Sequence, residues 1–248
     1  LVCCLVNPSG TRLLTTSVDG TARLWNLESP EDSILCPHDD AVLAAAWSHS
    51  GDRFLTASSD HSARIWDRRG SLLARLTGHQ GPVLFGSFSR DDQRLLTCSA
   101  DHTARIWDRQ GAQLGILKGH SDVVYAACFR PDGQQILTVS RDRQACLWSP
   151  RAELQHVLGG HQAAVSHGCY SPDGGQILTI SRDGTGRLWT PQGVLIAVLR
   201  GHQDRVNEGL YSPDGQHILT VSRDHTARLW DRSGNEVAVL SGHEKGVQ

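Results

Sequence analysis

The sequence predicts an all-β fold, a propeller of six four-stranded antiparallel blades. Three observations carry that expectation. The stretch at residues 222–231, SRDHTARLWD, returns almost unchanged as SSDHSARIWD at 58–67 and SADHTARIWD at 99–108, with looser copies starting at Ser17, Ser140 and Ser181. Trp25, Trp66, Trp107, Trp148, Trp189 and Trp230 mark the copies, each 41 residues after the last, and a fixed period of this size signals a repeat array. Within each period the apolar runs are short and rich in β-branched residues and Leu, with turn signals every 8 to 12 residues and no helical periodicity. A lone four-stranded blade cannot bury both faces, so blades stack on neighbours, and radial stacking gives a propeller.

Each repeat opens on an apolar run ending in an anchor residue, as in residues 83–88 and 206–211. Trp47, the one Trp out of phase, falls at this anchor with Phe88, Phe129, Tyr170 and Tyr211. A hairpin turn follows, reading SPDG at Ser171 and Ser212, RPDG at Arg130, NPSG at Asn7, SHSG at Ser48 and SRDD at Ser89; Pro and Asp favour the tight turn and Gly supplies positive φ. A second strand such as HILTVS (217–222) leads through an Asp-containing turn to a third strand bearing Ala-Arg-Leu-Trp. A polar turn such as DRSG (231–234) enters a fourth strand (236–240), and the repeat closes on Gly-His at Gly78-His79, Gly119-His120, Gly160-His161, Gly201-His202 and Gly242-His243, with Pro37-His38 as the departure. The expected blades are therefore 1–38, 39–79, 80–120, 121–161, 162–202 and 203–243, within one propeller domain spanning 1–248.

The 248 residues are six periods of 41 plus two, which leaves no room for a separate catalytic domain. A net charge of −2 argues against generic nucleic-acid binding, which needs many Lys and Arg contacts to phosphate. No apolar run is long enough for a membrane helix, and no signal-peptide pattern opens the chain. Seven Cys without zinc-like spacing read as reduced thiols of a cytoplasmic protein, with Cys128 and Cys169 at equivalent strand positions. No metal site or cofactor is expected. A chain that begins with Leu and holds no Met reads as a fragment of a larger protein.

The Gly-His pairs and the Trp-Asp that ends the third strand resemble the WD40 repeat family, over the whole chain and in six repeats. Trp-Asp gives way to Trp25-Asn26, Trp148-Ser149 and Trp189-Thr190, and the fourth repeat carries Arg143, Gln144 and Cys146 at otherwise regular positions. The near-identical, ungapped repeats are also similar to bacterial tandem WD40 arrays attached to signalling ATPases. An open stack would leave a blade face exposed at each end, so a closed six-bladed ring is favoured over a piece of a seven-bladed or longer array, although the shared blade by which many WD40 rings close is absent here.

Every repeat also offers His, Ser and Asp, the residue types of a hydrolase triad, but a hydrolase needs one exposed nucleophile rather than a set per blade. The family resemblance implies a structural tetrad, in which Trp donates to Ser, Ser to His and His to Asp, and that inventory balances with neutral His. The tetrads so assigned are His38, Ser58, Asp60, Trp66; His79, Ser99, Asp101, Trp107; His120, Ser140, Asp142, Trp148; His161, Ser181, Asp183, Trp189; and His202, Ser222, Asp224, Trp230. The first repeat has Ser17, Asp19 and Trp25 without a preceding His, and His243 would complete it on ring closure or belong to a seventh blade.

Constant positions report the scaffold, so function is sought where repeats differ. One variable set precedes the tetrad Asp: Val18, Ser59, Ala100, Arg141, Arg182 and Arg223. Another flanks the first strand and includes Leu43, Leu84, Tyr125, Arg205 and Asn207. By resemblance both lie around the channel mouth, apolar in the early blades and basic in the later ones. Arg141, Arg182, Arg223, Arg205, Asn207, Tyr125, Leu84 and Leu43 are the expected partner-binding residues, for an acidic or phosphorylated peptide. The competing reading is that each Arg is a solvated charge or pairs with an acid such as Glu208. The third-strand Arg23, Arg64, Arg105, Arg187 and Arg228 are too regular for a site and are expected to pack along the blade. The sequence thus points to a non-catalytic interaction or sensing scaffold, over an enzyme using a His/Asp pair or channel metal, or a structural or designed repeat protein.

Overall fold

Because Leu, Ile, Val and Thr alternate across short runs closed by Asp- and Gly-containing turns, every repeat folds as a meander of four antiparallel strands. The computed structural model describes residues 1–29, 31 and 33–247. The chain divides into two compact units, Leu1–Gly119 and His120–Gln248, each with three blades.

In the first unit the first blade comprises β1 (Cys3–Val6), β2 (Arg12–Thr16), β3 (Thr21–Asn26) and β4 (Ser33–Pro37). The second comprises β5 (Val42–Trp47), β6 (Arg53–Ser58), β7 (Ala63–Asp67) and β8 (Leu72–Leu76), and the third β9 (Val83–Phe88), β10 (Arg94–Ser99), β11 (Thr103–Asp108) and β12 (Gln113–Lys118). In the second unit the fourth blade comprises β13 (Val124–Phe129), β14 (Ile136–Ser140), β15 (Ala145–Trp148) and β16 (Leu154–Leu158). The fifth comprises β17 (Val165–Tyr170), β18 (Ile177–Ser181), β19 (Gly186–Trp189) and β20 (Leu195–Leu199), and the sixth β21 (Val206–Tyr211), β22 (His217–Ser222), β23 (Ala227–Asp231) and β24 (Glu236–Leu240). Each sheet pairs its strands in chain order, and the described residues contain no helix. Trp47 ends β5 as Phe88 ends β9. It packs on Phe54 at 5.1 Å and donates its indole N–H to the Leu5 carbonyl of the preceding blade.

Blades within a unit pack by one repeated contact. Leu14, Leu24 and Cys36 of the first blade meet Phe54 and Trp66 of the second; Leu55, Ile65 and Leu76 of the second meet Leu95 and Trp107 of the third. The second unit repeats this with Leu137 and Leu147 against Ile177 and Trp189, then Leu178 and Leu188 against Ile218 and Trp230. Burying a Leu or Ile fully contributes roughly 1.5–3 kcal/mol, so each of these junctions is a substantial source of stability. In the sixth blade Leu219 is 37% exposed, whereas Leu178, one period earlier, is 0% exposed.

A β-bulge recurs where the first strand of a blade meets the second. Register shifts between Val42 and Ala44, Val124 and Ala126, Val165 and His167, and Val206 and Glu208, and likewise opposite Cys98/Ser99. The residues skipped are Leu43, Tyr125, Ser166, Asn207 and Leu84. A bulge leaves its extra residue out of the ladder and re-aims its side chain.

Candidate functional site

The polar cluster within each blade is built on threonine rather than serine. The indole nitrogens of Trp66, Trp107, Trp148, Trp189 and Trp230 donate to Thr56, Thr97, Thr138, Thr179 and Thr220 at 2.8–2.9 Å. The same hydroxyls lie 2.7–3.0 Å from Nε2 of His38, His79, His120, His161 and His202. Nδ1 of each His lies 2.8–2.9 Å from the Oδ2 of Asp60, Asp101, Asp142, Asp183 and Asp224. The expected tetrad hydroxyls of Ser58, Ser99, Ser140, Ser181 and Ser222 are therefore corrected to these five threonines. Trp66 pairs directly with Phe54, so the next residue on that face of β6 is Thr56, within diagonal reach; Ser58 lies two residues further along. The serines do separate work at the strand ends. Ser58 donates to the Asp40 carbonyl and accepts the Asp60 amide, and Ser99, Ser140, Ser181 and Ser222 make equivalent pairs of bonds.

Proton placement follows from the partners. A carboxylate only accepts, so His Nδ1–H donates to Asp, and Nε2 accepts from the Thr hydroxyl, which itself accepts the indole N–H. Burial holds His38, His79, His120 and His202 below the ordinary imidazole pKa, although the Asp partner pulls the other way. For Asp60, burial pushes upward, but hydrogen bonds from Ser62, His38 and the Asp39 amide outweigh it and hold the carboxyl well below its usual range. The clusters of His38, His79, His120 and His202 thus set a neutral imidazole against an ionised carboxylate. The first blade keeps Trp25 on Thr15 at 2.9 Å, replacing the expected Ser17, while Asp19 binds Thr21. His243 lies exposed after β24.

The Asp also shapes the turn into the third strand. Its Oδ1 accepts the amide two residues on, as Asp60 does from Ser62 and Asp142 from Gln144. The residue between takes positive φ: His61, His102, Arg143 and His225 lie at 65–73°, and Gly20 and Gly184 at 83° and 82°. That left-handed requirement explains why Gly stands there in two repeats, and His61, His102, Arg143 and His225 adopt it in the other four. The third-strand arginines act as clamps: Arg64, Arg105 and Arg187 donate to the carbonyls of Pro37, Gly78 and Gly160, directly before the tetrad His. A Cβ on Gly78 would sit 2.6 Å from the Arg105 guanidinium, so Gly precedes His to admit that side chain.

The two variable sets come together through the backbone. The amides of Ser59, Ala100, Arg141, Arg182 and Arg223 donate to the carbonyls of Ala41, Pro82, Val123, Ala164 and Arg205 at 2.9–3.1 Å. Beside each pair stands a bulge residue. In the second unit, bulged Tyr125 carries the Arg182 guanidinium 5.6 Å from its ring centroid. Arg182 and Arg223 are exposed. Arg141 pairs with Asp122 at 3.7 Å, so for this arginine the ion-pair reading holds, with Asp122 in place of Glu208. Among the described residues Arg182, Arg205 and Arg223 make no ion pair within 4.0 Å, and Arg205 buries an unpartnered Nε. Asn207 is occupied: it donates to the Val247 carbonyl at 2.6 Å, while the Val247 amide binds the Ser222 carbonyl as Val42 binds Ser17. In the first unit Leu43 and Leu84 are half-buried, and Val18 is exposed.

The family described as WD domain, G-beta repeat matches residues 1–26, 31–67, 70–108, 111–149, 152–190 and 193–231. The chain belongs to the WD40 family. No curated protein matches it. WD40 domains are generally non-catalytic scaffolds for protein interaction. The WD40 clusters here present no nucleophile, since Thr56, Thr97, Thr138 and Thr179 are fully buried and Thr220 nearly so. Burial also pushes the Cys36 and Cys146 thiols up to about 12, away from the reactive thiolate. The residue types of a hydrolase triad are gathered, but inside the fold.

Proposed function

We propose that this WD40 chain is a non-catalytic docking scaffold whose second unit captures an acidic or phosphorylated peptide. One observation carries the reading: the exposed Arg182 guanidinium lies over the bulged Tyr125 with no carboxylate partner among the described residues. Stacking on an aromatic face orients a guanidinium while leaving its N–H edge free for a bidentate carboxylate or phosphate. Arg223 and Arg205, joined at the backbone, add positive charge on the next blade. Arg141 contributes with Asp122 as its resting partner, and Asn207 borders the patch. Leu43 and Leu84 give the first unit an apolar counterpart surface for a partner's hydrophobic residues. Seven free cysteines support a reducing, cytoplasmic setting, and the near-identical repeats support a role as the repeat region of a larger bacterial signalling protein.

The test is capture of a fluorescein-labelled Glu-rich peptide and its phosphoserine counterpart by fluorescence anisotropy. The double variant Arg182→Glu/Arg223→Glu is expected to lose binding while keeping the melting temperature of the parent. Undiminished binding would discard the reading.

A further inference from the structure

A cleft of about 490 Å³ opens at the junction of the first and second blades, between the β1–β2, β5–β6 and β7–β8 turns. Arg12, Arg68 and Arg69 line it with Ser9, Thr11 and Ser50, and Asp52 is the one acid in that lining among the described residues. Three later junctions show what fills this place there. Arg53, Gln135 and Gln176 sit one, three and four periods after Arg12, and each reaches a carbonyl 56 residues on, at Arg109, Pro191 and Arg232. Among the described residues Arg12 makes no such bond to Arg68. Arg232, four periods after Arg68, is neutralised by Asp173; four periods before Asp173 stands Ser9, which has no charge to offer. Arg68 is left with Asp52 at 3.8 Å, both side chains mostly exposed. Arg69 has Gln192 as its counterpart three periods on, in a cleft of about 300 Å³ whose lining has Gln, Pro and His with a single Arg.

We infer that this first-unit cleft is a binding site for a phosphate dianion, free or carried as a monoester, whose oxygens take the place that Asp173 fills beside Arg232. Three guanidinium groups against one carboxylate leave a double positive excess, which matches a phosphate dianion better than a single carboxylate. The hydroxyls contribute a further donor. Asn7 donates to both Ser9 and Thr11, whose oxygens lie 2.9 Å apart. One hydroxyl hydrogen is consumed between them, and the second remains to face the ligand. The site lies outside the arginine patch of the second unit, so the two stand or fall separately.

Isothermal titration calorimetry at fixed ionic strength tests the site, with inorganic phosphate and O-phospho-L-serine as separate titrants and acetate as the carboxylate control. The parent is expected to give saturable binding of phosphate, O-phospho-L-serine or both; the stronger arm distinguishes a free ion from a phosphorylated side chain. Arg12→Gln/Arg69→Gln installs the residues found at the equivalent positions of the second unit, and is expected to weaken binding roughly tenfold or more per guanidinium removed. Ser9→Asp supplies the internal counter-charge and is expected to compete the ligand out, while Arg182→Glu/Arg223→Glu leaves it in place. Absence of saturable heat in the parent, equal heat with acetate, undiminished binding in the Arg12/Arg69 variant, or loss only in the Arg182/Arg223 variant would each overturn the assignment.

Discussion

The indole nitrogen of Trp66 donates to the hydroxyl of Thr56 at 2.8 Å, and both groups are buried between the first and second blades. Thr56→Val keeps the shape and removes the oxygen, which strands the Trp66 N–H and His38 Nε2 without partners. An expected loss of roughly 2–4 kcal/mol follows from two buried unpaired groups. Ser58→Ala strands only local turn groups and is expected to cost about 1 kcal/mol. Denaturant melts of both variants check the order; a larger loss at Ser58 would return the serine to the network.

That pair also shows where sequence reasoning reached its limit. The His, Asp and Trp spacings were legible because each repeats unchanged, and the strands were legible from their turns. Thr56 and Ser58 are both hydroxyls on one face of β6, two residues apart, and only the pairing of Trp66 with Phe54 separates them. The threonines repeat as regularly as the serines, so period alone had no means of choosing. Likewise Tyr125 was visible as a variable position, but its contact with Arg182 depends on a bulge that no residue pattern marks.

Acid is expected to unfold the protein from the histidines first. His38, His79, His120 and His202 are held neutral in the fold, so the unfolded chain takes up protons more readily as pH falls through the ordinary imidazole value of about 6.5. Stability is lost below that point, and again below about 3.8 as the unfolded carboxyls protonate ahead of the depressed Asp60 and Asp101. A series of thermal melts from pH 8 to pH 5 is expected to show a monotonic fall; a flat series would mean that the imidazoles take up protons equally in the folded and unfolded chain.

Leu178 and Leu219 share a repeat position but not an environment. Leu178→Ala is expected to cost about 2–5 kcal/mol, the range for opening a cavity in a packed core. Leu219→Ala at the exposed position is expected to cost under about 1 kcal/mol. Separate probes in each unit should follow these melts, because a repeat array need not unfold in one step. Equal losses would show that Leu219 is packed as tightly as Leu178.

Gly86 admits no side chain: a Cβ there would stand 1.9 Å from a Leu55 methyl. Gly86→Ala is expected to destabilise by about 1–3 kcal/mol through overpacking, whereas Gly159→Ala, with open space around it, is expected to be nearly neutral. Melting both variants side by side separates the two cases.

Each imidazole belongs to one meander by sequence and to the next by bonding: His38 follows the last strand of the first blade, yet its Asp lies 22 residues on, in the second. The heritable unit and the folded unit are therefore out of step. Duplication of 41 residues cut at any point leaves every new carboxylate an imidazole 22 residues before it, so such an array can lengthen without breaking its internal chemistry. A blade excised along the edges of its own sheet would leave its proton donor behind.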